Sequence, residues 1–119
     1  MRRLFLSLIL LAVLAAPGAG EETAAIDILR NPGAYSDRYL TVRGTMMNVR
    51  PAAVGVAIPS GTVFDLVAGP AILVVLSPVP PACSLGSAVT VDGRFVPMAQ
   101  IRQQQLYTNL IEATRVACR

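Results

Sequence analysis

Two stretches of this chain share one pattern of apolar and polar positions. In the first, Leu40, Val42, Gly44 and Met46 alternate with Thr41, Arg43, Thr45 and Met47. In the second, Val89, Val91, Gly93 and Phe95 alternate with Thr90, Asp92 and Arg94. A period of two is that of a strand with one face on a core, so the first set of each stretch is read as inward. Each stretch carries a Thr-Val pair, one charged residue and then a glycine. A glycine inside a strand marks a bulge or sharp bend, because it has no side chain to resist curvature. Two bent strands in one short chain predict a small sheet curling toward closure.

The remaining segments fit around those two strands. Thr23 is positioned to cap a short helix from Ala24 to Arg30, with Ala25, Ile28 and Leu29 on its apolar side. Asn31-Pro32-Gly33 ends it, since proline biases its predecessor away from helical angles. Thr62 to Leu66 reads as a second strand, and Ala68-Gly69-Pro70 as a turn. Ala71 to Leu76 is a continuous apolar run, the pattern of a strand covered on both faces. A barrel interior covers only one face, so this run calls for a lid or for a second copy of the chain. Ser77 to Cys83, with three prolines, is a loop that cannot extend the sheet. Ser87 to Val96 is the fourth strand, Pro97 to Gln105 a polar loop, and the last strand lies within Leu106 to Cys118. Pro51 to Gly61 mixes strand spacing with Pro and Gly, as in a strand end or a loose hairpin arm.

This order resembles the OB-fold, and more narrowly the small exported OB-type domains of bacteria. The resemblance is carried by Ile26 to Arg30 with Asn31-Pro32, Tyr39 to Thr45, Val63 to Leu66, Gly86 to Phe95 and Ile111 to Val116. It implies an all-β fold, a five-stranded Greek-key barrel with a short N-terminal helix. Many OB domains bind single-stranded nucleic acid through aromatic platforms and a basic groove on the second and third strands. Here those strands offer Phe64 as their one aromatic residue. One exported OB-type class carries haem through a histidine, and this chain has none.

The N-terminus adds a compartment. Arg2 and Arg3 precede an apolar run from Leu4 to Ala16, and Pro17-Gly18-Ala19-Gly20 supplies small residues before Glu21-Glu22. Positive end, apolar core and small-residue exit are the parts of a secretory signal peptide. The apolar run is shorter than the roughly 20 residues a spanning helix needs. Residues 1–20 are therefore read as a signal peptide and 21–119 as the OB-like domain, with Ala19 the next choice of cleavage point and an uncleaved anchor the alternative. The product is periplasmic or secreted, with no stable membrane insertion. No cysteine follows the small residues, which argues against a lipoprotein anchor. Loss of Arg2 and Arg3 leaves eight arginines against seven carboxylates, close to neutral. In an exported domain Cys83 and Cys118 read as one disulfide.

Candidate chemistry is sparse. Without histidine there is no Ser-His-Asp or Cys-His arrangement. Two bonded cysteines leave no thiolate set for zinc, and no loop has the dense aspartate spacing of a calcium site. The chain is read as a non-enzyme with no metal and no cofactor. Phe64 and Tyr107, flanked by Arg94 and Arg102, are the candidate binding surface, with ordinary core packing for Phe64 and an interfacial place for Tyr107 the favoured alternative. Arg43 and Asp92, at matching places in the two bent strands, are expected to form a structural ion pair, and Gly44 and Gly93 to be structural glycines. The reading is an exported binding or adaptor module contacting an envelope protein, a peptide or a glycan, with self-association as a further expectation. Single-stranded nucleic-acid binding is the alternative, and the near-neutral charge counts against it. The intact mass of the native protein, alkylated before and after reduction, checks the compartment. The expected result is a chain starting at Glu21 that takes up alkylating agent only after reduction.

Overall fold

The computed structural model describes residues 20–51, 61–78, 80–101 and 105–119. The elements in chain order are β1 (Glu21–Glu22), α1 (Ala25–Arg30), a 3-10 turn (Pro32–Tyr35), β2 (Tyr39–Pro51), β3 (Thr62–Ala68), β4 (Ala71–Ser77), β5 (Ala88–Ile101) and β6 (Gln105–Cys118). The sheet runs β1-β2-β3-β4-β6-β5, and β5 returns to pair with β2. Strands β2 to β6 thus close into a five-stranded OB-like barrel with one short helix, as the alternation predicts. The β4–β6 pairing is parallel and the other four contacts of the barrel are antiparallel.

Strand β2 serves two partners in turn. Tyr39 to Thr45 pairs with Arg94 to Ala88 of β5, and Thr45 to Pro51 pairs with Val67 to Thr62 of β3. The handover falls at Gly44 and Thr45. A β-carbon on Gly44 would stand 2.8 Å from the Val67 carbonyl oxygen and 2.9 Å from Leu66 Cδ1. Gly93 sits beside a bulge, where Asp92 faces Arg115 but Gly93 faces Ala113, leaving Thr114 as the extra residue. At both glycines another strand approaches too closely to leave room for a β-carbon.

The inward set is as the pattern reads it. Leu40, Val42, Met46, Val89, Val91 and Phe95 are buried, joined by Phe64, Leu66, Leu73, Val75 and Ile111. Helix α1 adds Ala25 and Ile28 to the same core, with Leu29 packed against it. Thr23, however, does not cap the helix: the N-cap is Ala24, without a side-chain bond, and the Thr23 hydroxyl donates to the Glu21 carbonyl at 2.9 Å.

Three segments differ from expectation. Strand β1 is unanticipated. It pairs in parallel with Leu40 and Thr41, on the edge of β2 that β3 leaves free. The expected loop from Pro97 to Gln105 is mostly the outer half of a long β5–β6 hairpin, paired out to Ile101 and Gln105. Proline is tolerated there by parity. The Phe95 N–H donates to the Arg38 carbonyl at 2.9 Å, away from β6. Pro97, two residues on, therefore turns its nitrogen to the same unpaired side. In β4, burial on both faces holds only toward the end, at Val75, Leu76 and Ser77, whereas Ile72 is 52 % exposed. The reading of Pro51 to Gly61 falls largely on residues outside those described.

Cys83 and Cys118 are bonded, with their Cα atoms 5.5 Å apart. The bridge fastens the proline-rich loop to the end of β6. A closed loop with a sequence separation of 35 residues is worth about 3–4 kcal/mol in the chain-entropy account.

Replacing Gly93 by Ala tests the close approach. The added carbon would collide with the Glu112 carbonyl oxygen and lie 2.8 Å from the Ala113 Cα. Urea denaturation is expected to show a loss of about 1–3 kcal/mol, the usual cost of overpacking. Gly33→Ala is the control, because nothing lies within 4 Å of its added carbon. It should be neutral or slightly stabilising.

Candidate binding face

The register of β2, β3 and β4 fixes which side chains share the outer face of the barrel. Thr45, Val67 and Ile72 form one cross-strand row; Met47, Asp65 and Val74 form the next. Near the β2 bulge between Met47 and Arg50, Asn48 adopts a left-handed backbone with φ 52°. That turn lets Asn48 Nδ2 donate to Asp65 Oδ2 at 3.1 Å, while Arg50 Nη1 donates to Asp65 Oδ1 at 3.2 Å. Both oxygens of the carboxylate are therefore engaged. Around this neutralised centre lie Met47 at 40 % exposure, Val49 at 44 % and Ile72 at 52 %, with Val67 and Val74 half-buried. The face is open, apolar and close to charge-neutral.

Several charges elsewhere are matched to one another. Arg38 pairs with Glu21 and lies over the Tyr35 ring, 5.3 Å from its centroid. Arg43 Nε contacts Glu22 at 2.9 Å. Arg94 bridges Glu112 at 2.8 Å and Asp37 at 3.1 Å. The hydrogen bonds that Arg94 donates to Glu112, and then the Glu112 charge, hold the Arg94 guanidinium even more firmly protonated than an ordinary arginine. Arg94 is thus the hub of a three-residue brace that pins the segment before β2 onto β5 and β6. It is not a free cation waiting for a ligand.

The residues expected to form a stacking surface are not brought together. Phe64 is fully buried in the core and Tyr107 is 7 % exposed. Alternation did not separate Phe64 from Val63, since β3 buries both neighbours on opposite sides. Arg102 lies outside the described residues. The expected Arg43–Asp92 ion pair is also corrected. Arg43 stands opposite Thr90, and Asp92 opposite Thr41, a displacement of two residues. Arg43 turns to Glu22 instead, and Asp92 accepts a hydrogen bond from the Thr41 hydroxyl. Matching positions in two similar strands do not set their register.

Two depressions among the described residues lie away from the Asp65 centre. One, of about 180 Å³, lies between the proline-rich loop and Ala113 to Val116. The other, of about 340 Å³, lies beside β1, α1, Arg43 and Ala68. The first is below the ~300–1,000 Å³ typical of small-molecule sites and the second is at the lower end of it. Among the described residues no three His, Cys, Asp or Glu side chains gather as a metal site, and no helix is long and apolar enough to cross a membrane.

The class that fold and face define is an OB-type barrel with an open, apolar outer surface. No family model matches the chain, and no curated protein matches it. Among solved structures, the chain is similar to a protein described as an aspartyl-tRNA synthetase from Leishmania major Friedlin, with a TM-score of 0.58 and 10 % identity. The match covers 88 % of this chain and 22 % of that one, so this chain spans under a quarter of its neighbour's length. At such identity the likeness is one of fold.

Phe64→Ala distinguishes a core ring from a surface platform. A fully buried phenylalanine is expected to cost about 3–5 kcal/mol on truncation, read as a lower urea midpoint. A platform residue would leave the midpoint nearly unchanged.

Proposed function

We propose that this chain is an exported, non-enzymatic OB-type binding module of the bacterial cell envelope, and that its partner is a protein or peptide seated on the β2–β3–β4 face. The observation that carries this reading is the exposed apolar surface of Met47, Val49 and Ile72 around an Asp65 already satisfied by Asn48 and Arg50. Exposed apolar area in a contiguous patch is the usual mark of a protein contact. A phosphate-tracking groove would instead present unpaired cations and aromatic rings. Arg38, Arg43, Arg50 and Arg94 are each taken by a carboxylate. A glycan would call for an exposed aromatic platform on this face, and Phe64 is inside the barrel.

Export is supported by the leader-like N-terminus and by the Cys83–Cys118 bridge, since disulfides persist in oxidising compartments. The proposed boundaries remain residues 1–20 for the leader and 21–119 for the module.

Ile72→Asp is the direct test. It places a charge on the β4 side of the exposed patch, at a position whose side chain already meets water, so the unfolding free energy read from urea should change by no more than about 0.5 kcal/mol. Envelope proteins retained by the unaltered module should be lost by the variant. Tight binding to a single-stranded oligonucleotide, weakening steeply with salt, would replace this reading with the nucleic-acid one. Equal retention by both forms would move the contact to another face.

A further inference from the structure

Residues 20–23 are built into the sheet. Glu21 and Glu22 stand opposite Leu40 and Thr41, and the Thr23 N–H donates to the Thr41 carbonyl at 2.9 Å. Glu21 is ion-paired to Arg38, and Glu22 to Arg43. At position 20 the backbone approaches so closely that a β-carbon would stand 2.6 Å from both the Cα and the N of Leu40. The Thr41 hydroxyl also reaches the Gly20 carbonyl oxygen at 3.1 Å. The peptide bond between Gly20 and Glu21 therefore lies inside a folded edge, held on both sides.

On the leader reading proposed above, which this inference rests on, that bond is the one a leader-removing peptidase must cut. A peptidase takes its substrate as an extended strand in its own cleft, using the backbone groups that a β-ladder would use. It therefore competes with Leu40 and Thr41 for the same segment. We propose that folding of the barrel conceals its own processing site. Leader removal must come before β1 docks, and a chain that folds first keeps its leader and remains held at the membrane. The step itself is hydrolysis: water adds across the Gly20–Glu21 amide, leaving a carboxylate on the leader and an ammonium on Glu21. Gly20 is small enough for a leader peptidase, and in a chain that folds with its leader attached its missing β-carbon lets β1 dock on the edge.

The experiment compares two routes with full-length chain and a detergent-solubilised signal peptidase. In one, the chain is diluted from denaturant directly into the peptidase; in the other it folds first, with its disulfide formed. Intact mass gives the new N-terminus. Direct dilution is expected to yield a chain starting at Glu21. The prefolded chain should be cut more slowly by on the order of tenfold or more, because proteolysis follows the small population with an opened edge. Gly20→Ala keeps a small residue at the cleavage point yet should speed cutting of the prefolded chain. The Arg38→Ala, Arg43→Ala double variant leaves position 20 untouched and should act in the same direction, with circular dichroism confirming that both fold. Equal rates by the two routes would overturn the proposal while leaving the leader intact as a reading. Cutting by neither route would remove the leader reading and this proposal together.

Discussion

The barrel depends on one strand being shared. β2 spends its first half on β5 and its second on β3, and closure is possible only because the chain can bend where it changes partner. A side chain at Gly44 would meet Val67 and Leu66, and one at Gly93 would meet the backbone of β6. These two approaches bring the ends of the sheet together, and the rest follows from them. Closure gives Leu40, Val42, Val91 and Phe95 a common interior. It also leaves the first half of β2 with an unpaired edge, because β3 begins to pair only at Thr45. β1 fills part of that edge, and α1 follows directly, delivering Ala25 and Ile28 to the core.

Charge placement completes this arrangement and shapes what the surface can do. The ion pairs Glu21–Arg38 and Glu22–Arg43 fasten β1, and Asp37–Arg94–Glu112 fastens the chain that enters β2. Exposed pairs of this kind contribute little energy singly. Their larger effect is to occupy Arg38, Arg43 and Arg94. With those cations engaged, the outer face of β2, β3 and β4 is left with methionine, valine and isoleucine around one satisfied carboxylate. A surface so composed favours shape and apolar contact over electrostatic capture.

Much of the fold was legible in the sequence because it rests on period-two alternation. The inward sets of β2 and β5 and the helix were readable from residue type and spacing, and the disulfide from the expected compartment. What was not readable depended on neighbours. β1 is two residues long and has no pattern of its own; it exists because an edge is free. Pro97 reads as a strand breaker, and it is tolerated only because its nitrogen points away from β6. Arg43 and Asp92 look like partners by position, yet the register sets them two residues apart. The binding surface was the least legible part. Val63 and Phe64 are adjacent and both buried, so alternation could not show which of them pointed into the barrel. The apolar run in β4 hid the exposure of Ile72.

One seam of the barrel is weaker than the rest, and its repair connects fold to surroundings. β4 and β6 pair over three residues only, Val74 to Leu76 against Leu110 to Glu112. Parallel ladders are also slightly less stable per residue than antiparallel ones. Beyond Ser77 the chain leaves β4 through a loop with prolines, which cannot donate backbone bonds to prolong the seam. The Cys83–Cys118 bridge returns that same loop to the end of β6. It braces from the side what hydrogen bonds do not hold from within. A domain this small has little core to spare for such a gap, and staples are the usual remedy. Under reducing conditions the seam loses its brace. The architecture is therefore best served where disulfides persist.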